Sequence, residues 1–497
     1  MKIVILGGGT AGWMCAASLS ALSATRRFSV ELVESDEIGT VGVGEATLPH
    51  IKAFNDGLGI NEAEFMRRTH ATFKLGIEFA GWGRDAYIHP FGTFGQDWAG
   101  IGFQHHWTRA KQAGVPVAPI EDYSFAIAAA RAGKFAFPDT DPSSVKSTFA
   151  YAYHFDAALY AGFMRDFATK RGVRRTEGRV VEVQQNAENG NVTGLKLQSG
   201  AVVTGDLFLD CSGFVSLIAG KTLNGPWEDW TQWLPCDRAF AVPTAGTGEI
   251  TPYTRATARE AGWQWRIPLQ HRTGNGYVFS SAFTSEDRAR DVLLANLDGA
   301  PLMEPKLLRF RAGRRTRSWS HNVVAVGLAS GFLEPLESTS IYLVQAAIET
   351  LRHYLGGRPD DPRAQGAFNR SVDTIYDSIR DFLILHYRAT AREEPLWQHV
   401  RDMALPDSLL GRIEMFRHRG YIEAYRNGLF SPPSWLAVYM GQDVVPTGYD
   451  RMADALPMDL LVEKLDMLRT RIRDQVAALP THEATLASFA PARMEVA

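Results

Sequence analysis

The chain has 497 residues, 52 of them Lys or Arg and 55 Asp or Glu, for a formal net charge of -3. That length buries a large core, which excludes a small binding module, and the balance of charge excludes a global field for nucleic acid or an anionic membrane surface. Cys15, Cys211 and Cys236 show no CxxC spacing, which argues against a disulfide framework and a zinc site and fits a cytoplasmic protein.

Met1-Lys2-Ile3-Val4-Ile5-Leu6 runs straight into glycine and reads as a first strand, not as a signal peptide. Ala11 to Leu22 has the small and apolar mixture of a helix, and Phe28 to Glu34 reads as a second strand, which together make a βαβ opening. Gly7-Gly8-Gly9-Thr10-Ala11-Gly12 places the GxGxxG pattern after a strand and at the start of a helix, the context that ties it to a dinucleotide. Gly7 permits the tight turn, Gly9 lets a pyrophosphate reach the backbone and Gly12 allows close helix packing, while the helix N-terminus faces the phosphates. Glu34, about twenty residues further on, is the expected ribose acceptor. Gly42-Val43-Gly44-Glu45-Ala46-Thr47 supplies a second glycine-spaced loop able to lie against the cofactor.

Lys74 lies in the otherwise uncharged stretch Ala71-Thr72-Phe73-Lys74-Leu75-Gly76-Ile77. Two readings stand: a surface lysine whose stem packs on apolar neighbours, or a buried amine that resists its charge and hydrogen-bonds or reacts as a nucleophile. His89-Pro90-Phe91 either lines an aromatic pocket or packs a loop. His105-His106 is too sparse for a metal site, and no metal is expected. Residues 154–170 are predicted to form an amphipathic helix, with Phe155, Ala158, Leu159, Phe163 and Phe167 near a 3.6-residue period. Arg179 to Gln184, Val192 to Leu197 and Ala201 to Val203 then read as a strand meander, turned at Glu188-Asn189-Gly190 and Ser199-Gly200.

Leu207-Phe208-Leu209 ends in Asp210-Cys211-Ser212-Gly213, and Val323 to Val326 ends in Gly327. Both ends are expected to face the nucleotide, and their two-part layout favours FAD over NAD. The stretch from about 220 to 300 suggests a second sheet. Within it, Trp263-Gln264-Trp265-Arg266-Ile267-Pro268 is either a half-buried strand with alternate side chains on one face or a stiff apolar wall between a flavin and its target. From Ile341 onward helical patterning covers 343–354, 367–389 and 460–479, with Pro432-Pro433 and Pro446 as breaks. No apolar run approaches membrane-spanning length.

The expected fold is α/β: an FAD-binding, glutathione-reductase-like Rossmann domain with an antiparallel second sheet and a mainly helical C-terminal region. Its boundaries are a discontinuous FAD-binding module over 1–345, with a substrate-side sheet at approximately 80–150 and 220–300, and a helical substrate-side region over 346–497.

The chain resembles a flavin-dependent halogenase of the tryptophan halogenase family. The resemblance runs over most of the chain and rests on GGGTAGW at 7–13, GVGEATLP at 42–49, FKLG at 73–76, WQWRIP at 263–268 and FLEPLESTSIY at 332–342. It implies that FADH2, O2 and halide, bromide or chloride, yield hypohalous acid, which travels through a tunnel to the lysine matching Lys74. Glu337 matches the catalytic glutamate, which stabilises the cationic ring formed on halogen attack and takes its proton. Thr339 and Ser340 match the positions whose backbone amides hold halide, and Ser338 matches a residue joining the flavin side to the substrate side. Trp263, Trp265, Ile267 and Pro268 match the wall that keeps substrate from the flavin, with His89 and Phe91 as pocket candidates. The expected cofactor-binding set is Gly7, Gly9, Thr10, Ala11, Gly12, Glu34, Gly44, Ala46, Val181, Leu328 and Ile341.

The chain departs from the free-tryptophan enzymes at two places. Ser340 stands where they usually carry glycine, which leads to the expectation that bromide is used at least as well as chloride. Ser434 to Gln442 lacks the acid and the paired tyrosines that clamp a free amino acid, so indoles, phenols and larger tryptophan-containing substrates stay open. No second nucleotide fingerprint is present, which implies a separate flavin reductase; a small aromatic substrate and a homodimeric second copy complete the partners considered. An aromatic monooxygenase and a non-catalytic flavin-binding protein remain as alternatives.

Overall fold

A computed structural model describes residues 1–23, 28–38 and 44–489, so Gly42 and Val43 of the second glycine loop lie outside the described residues. The chain divides into two compact units: Met1–Ala71 with Phe155–Arg238 and Leu308–Asp377, and Thr72–His154 with Ala239–Leu307 and Ser378–Ala497.

The first unit is built on a six-stranded sheet ordered Trp319–Ser320, Val323–Ala325, Leu207–Asp210, Lys2–Leu6, Ser29–Glu34 and Arg174–Glu177. Lys2–Leu6 pairs in parallel with both neighbours, Ile3 opposite Leu207 and Val30. Ile3, Val4 and Ile5 are completely buried, as a continuous β-branched run must be when both sheet faces are covered. The chain leaves Lys2–Leu6 for Ser29–Glu34 on one side and returns as Leu207–Asp210 on the other. The carboxyl end of the first strand is therefore a topological switch point, where open α/β sheets bind ligands.

Val180–Gln185, Val192–Leu197 and Val202–Thr204 form the antiparallel meander. Asn322 ties it to the main sheet: Nδ2 donates to the Val192 and Asp206 carbonyls at 2.8 and 3.0 Å, and Oδ1 accepts from the Val192 N–H at 2.8 Å. The helix predicted from residue 154 begins later, at Ala157–Lys170. Asp156 Oδ1 accepts from the N–H groups of Ala158 and Leu159 at 3.0 and 3.2 Å and so sets the helix start. Phe155 accordingly belongs to the preceding strand Ala152–Asp156.

The second unit carries a seven-stranded sheet ordered Lys306–Arg309, Arg238–Thr244, Thr273–Phe279, Gly262–Pro268, Thr254–Arg259, Gly76–Ala80 and Tyr87–Pro90. Thr254–Arg259 pairs antiparallel with Gly262–Pro268 and parallel with Gly76–Ala80. Helix Glu286–Ala295 packs Ala289 and Leu293 onto Phe240, Val242, Tyr277 and Phe279 of this sheet. Pro432-Pro433, expected as a break, opens helix Pro432–Gly441. In the first turn a proline lacks only an N–H that would be unpaired anyway, and its φ is already helical. Among the described residues no helix is long and apolar enough to cross a membrane.

Candidate active site

In the first unit the glycines of the N-terminal loop serve different needs. Gly7 has φ 115°, and a Cβ on it would lie 2.3 Å from the Cys211 carbonyl oxygen at the end of the neighbouring strand. A Cβ on Gly12 would lie 1.9 Å from the Gly7 carbonyl oxygen, so close helix packing requires that glycine. A Cβ on Gly9 would meet nothing within 4 Å. Gly9 therefore exposes backbone that the protein leaves uncovered at the start of helix Thr10–Ser23, the cradle a pyrophosphate needs.

Thr10 Oγ1 donates to the Ala157 carbonyl at 3.4 Å, and Ala11 Cβ lies 3.1 Å from where a Cβ on Gly327 would stand. The strand end at Gly327 thus reaches the loop, with half-buried Leu328 next to it. Glu34 lies over the same turn. Its Oε1 accepts from Arg175 Nε at 2.5 Å and its Oε2 from Trp13 Nε1 at 3.4 Å. An uncovered backbone, a helix start and a fixed acid fit the ADP half of FAD.

Asp210, expected to face the nucleotide, is completely buried and committed to the protein. Its carboxylate accepts from the Ser212, Ile218 and Ala219 N–H groups at 3.1, 2.9 and 2.8 Å. Gly44 and Ala46 bound a short strand, and Val181 is 56% exposed on the meander. Between Gly44 and Ala46, burial pushes the Glu45 carboxyl up to about 7. Sequence reading passed over this half-buried acid, because nothing in its flanks sets it apart.

Pro335–Glu337 forms a single 3-10 turn, Ser338 adopts the left-handed conformation with φ 59°, and helix Ser340–Arg352 comes next. This sharp turn leaves Glu337 and Thr339 with no solvent exposure. Thr339 Oγ1 is buried without a hydrogen-bond partner among the described residues, and no side chain caps the helix. An unused hydroxyl beside uncapped amides offers donors to a small anion, which fits halide at Thr339 and Ser340. Ile341 is buried one position on. Glu334 is as deeply buried as Glu337, so burial alone does not separate the two acids.

In the second unit Lys74 is completely buried on the short strand Thr72–Lys74, its Nζ 5.0 Å from the centre of the Phe91 ring. This is the buried-amine reading, not the surface one. His89 packs edge-on to Phe91 at 6.3 Å and to Phe382 at 5.7 Å, and Phe382 stacks on Phe430 at 3.9 Å and meets Trp435 at 5.1 Å. The structure thus gathers the two expected pocket residues with three aromatics that sequence reading missed.

All seven residues of Gly262–Pro268 are buried, which replaces the half-buried alternative. Trp263 and Trp265 share a face with Ile267, their rings 6.2 Å apart. A Cβ on Gly276 of the next strand would lie 2.1 Å from the Trp265 ring, so that glycine makes room for the indole. Gln264, on the opposite face, is held by Arg259 and the Asn296 carbonyl. Among the described residues no group of three or more His, Cys, Asp or Glu side chains is placed to hold a metal ion.

A sequence profile of the tryptophan halogenase family matches residues 2–458. The tryptophan 7-halogenase RebH of Lentzea aerocolonigenes is 34% identical over 97% of this chain and 97% of its own. The tryptophan 6-halogenase ThaL of Streptomyces albogriseolus is 35% identical over 89% and 90%. Among solved structures, the flavin-dependent halogenase BrvH from Brevundimonas sp. BAL3 is 44% identical with a TM-score of 0.95, covering 99% of each chain. Xcc4156, a flavin-dependent halogenase from Xanthomonas campestris, is 46% identical with a TM-score of 0.94 over 99% of this chain and 98% of that one.

Proposed function

This chain belongs to the tryptophan halogenase family, and we propose that its substrate is an indole-class ring not clamped as a free amino acid. It is a flavin-dependent halogenase that uses FADH2, O2 and halide, and enzymes of this kind take FADH2 from a separate flavin reductase. Bound and reduced, the flavin would supply two electrons and two protons, which with one further proton convert O2 and halide to hypohalous acid and water.

Gly7, Gly9, Thr10, Ala11, Gly12 and Glu34 hold the dinucleotide, and Gly44, Ala46, Val181, Leu328 and Ile341 complete the cofactor contacts. Thr339 and Ser340 present main-chain N–H groups to halide, with Ser338 as the link toward the substrate side. Trp263, Trp265, Ile267 and Pro268 wall the substrate off, and His89 and Phe91 line its pocket. Lys74 donates a hydrogen bond to hypohalous acid or takes up its halogen, which confines an otherwise indiscriminate oxidant. Glu337 stabilises the cationic ring and accepts its proton.

The observation that carries this reading is the complete burial of the Lys74 amine against an aromatic ring. The choice of substrate is supported by helix Pro432–Gly441, which carries no acid and whose tyrosine, Tyr439, stacks on Phe416 at 4.1 Å inside the core. Cys15, Cys211 and Cys236 are buried and form no disulfide, which supports a reducing, cytoplasmic setting. The test is incubation with FAD, a flavin reductase, NADH, bromide and a panel of indoles, read by mass spectrometry for the bromine isotope doublet. Steady FADH2 consumption without a doublet on any indole overturns the substrate assignment.

A further inference from the structure

Strand Thr72–Lys74 pairs antiparallel with Ala152–Asp156, with Thr72 opposite His154 and Lys74 opposite Ala152. Residues two apart on a strand share a face, and so do directly opposed residues, so Lys74, Thr72 and His154 stand together. Phe73 points the other way, stacked on Phe135 at 4.0 Å. Lys74, Thr72 and His154 are all completely buried.

The protons along this row are determined by its acceptors. Thr72 Oγ1 is 2.8 Å from the Pro268 carbonyl, which can only accept, so the single hydroxyl hydrogen goes there. Thr72 Oγ1 then accepts from His154 Nδ1 at 2.9 Å, which fixes the Nδ1–H tautomer. The imidazole lone pair is left on Nε2, and the Thr254 hydroxyl, 2.9 Å away, donates to it. Burial above all, and then the charge of Lys74, hold the His154 pKa well below the usual range, so the ring is neutral.

We propose that His154 is a positioning residue for Lys74: it braces the Lys74 strand against Pro268, and its lone pair, occupied by Thr254, does not compete with the amine for electrophilic halogen. The inference rests on the role of Lys74 given above. A neutral imidazole reacts readily with hypohalous acid. Its lone pair forms an N–halogen bond, the halogen–oxygen bond breaks, and the departing hydroxide takes the Nδ1 proton to leave as water. An imidazole on the face of Lys74 diverts oxidant unless that lone pair is engaged.

Thr254→Val removes the donor to Nε2 and keeps the ring. FADH2 oxidation is expected to stay at the wild-type rate, while halogenated product per FADH2 falls about fivefold, the factor of one lost hydrogen bond. The peptide containing His154 should gain bromine or oxygen by mass. Thr254→Val combined with His154→Gln should recover the yield, because the amide still donates to Thr72 and has no basic lone pair. Wild-type yield with unmodified His154 in Thr254→Val, or no recovery in the double variant, overturns the proposal.

If Thr254→Val does not fold, His154→Leu against His154→Gln decides. The leucine variant should lose about tenfold or more in kcat with indole KM unchanged, as misplacement of a reacting group does, and the glutamine variant should retain kcat. Equal kcat in the two overturns the inference. Lys74→Met separates the layers: if it still halogenates, the assignment of Lys74 fails. If it is inactive while every His154 and Thr254 variant matches wild type, the positioning inference alone fails.

Discussion

A Cβ built on Gly8 would stand 1.4 Å from Glu34 Oε2. The acid expected at the ribose is therefore seated by the absence of a side chain in the loop, and Arg175 holds it there from the other side. Gly8→Ala should displace Glu34, lowering both thermal stability and FAD affinity. Gly9→Ala should do only the second, since its Cβ meets no protein atom within 4 Å. The expected result for Gly9→Ala is unfolding of the FAD-free protein within about 0.5 kcal/mol of wild type, with FAD affinity by flavin fluorescence reduced about tenfold or more. Wild-type FAD affinity in Gly9→Ala would place the pyrophosphate elsewhere.

The roles proposed for Lys74 and Glu337 fall at different moments of the reaction, so their variants should fail differently. Lys74→Ala is expected to abolish halogenation of every indole while FADH2-dependent O2 consumption continues. A hydroxylase built on the same flavin unit would keep most of its product. Glu337→Gln preserves size and removes the charge, so turnover should drop about 10²–10⁴-fold, the range for a positioned proton acceptor, with little change in KM. Single-turnover product formation under bromide distinguishes these outcomes.

Local chemistry made part of this site readable. The glycine loop was legible because GxGxxG stands between a strand and a helix, and Gly7, Gly8 and Gly12 answer steric demands made within the same turn or by the adjoining strands, while Gly9 meets no protein atom. The uncharged flanks of Lys74 left burial as one of two readings, and only the packed strand decides it. Phe382, Phe430 and Trp435 could not be found this way. Phe382 and Phe430 reach His89 across about three hundred positions of chain, Trp435 joins them through Phe382, and the apolar pattern around all three serves any core equally well. What the Asp210 side chain does was equally hidden: the sequence places it at a strand end, and only the fold shows that the amides of Ile218 and Ala219 take its carboxylate. Proline at 432 and 433 suits a break and a first helical turn equally well, and the apolar run from Trp435 to Tyr439 makes it a start.

Ser340 adds a hydroxymethyl group at the uncapped start of helix Ser340–Arg352, one residue after the buried Thr339 hydroxyl. A larger, more weakly hydrated halide loses less when it gives up water for such a site. With bromide and chloride at equal concentration, brominated product should at least equal chlorinated product, and Ser340→Gly should move the ratio toward chloride. Mainly chlorinated product from the unaltered protein would reject this.

Arg314, 9% exposed, faces three carboxylates: Glu228 at 3.0 Å, Asp377 at 3.5 Å, and Asp373, which accepts from its Nη1. One cation does not neutralise three anions. Burial first, with the charges of Asp377 and Glu228 adding to it and Arg314 opposing, pushes Asp373 up to about 6 from an ordinary 3.8. A carboxyl whose pKa is raised by folding binds its proton more tightly in the folded chain. Its contribution is present at low pH and is lost as pH climbs from about 4 through 6. Asp373→Asn should therefore flatten the dependence of Tm on pH across that window. Arg314→Met should cost about 1–3 kcal/mol near pH 7.5, less than a fully buried pair would lose, because solvent still screens the partly exposed Glu228, Asp373 and Asp377. The same variant should recover part of that loss near pH 5, where Asp373 carries its proton. A deficit that stays constant on acidification, measured by thermal unfolding across the range, would show that protonation of Asp373 does not couple to folding.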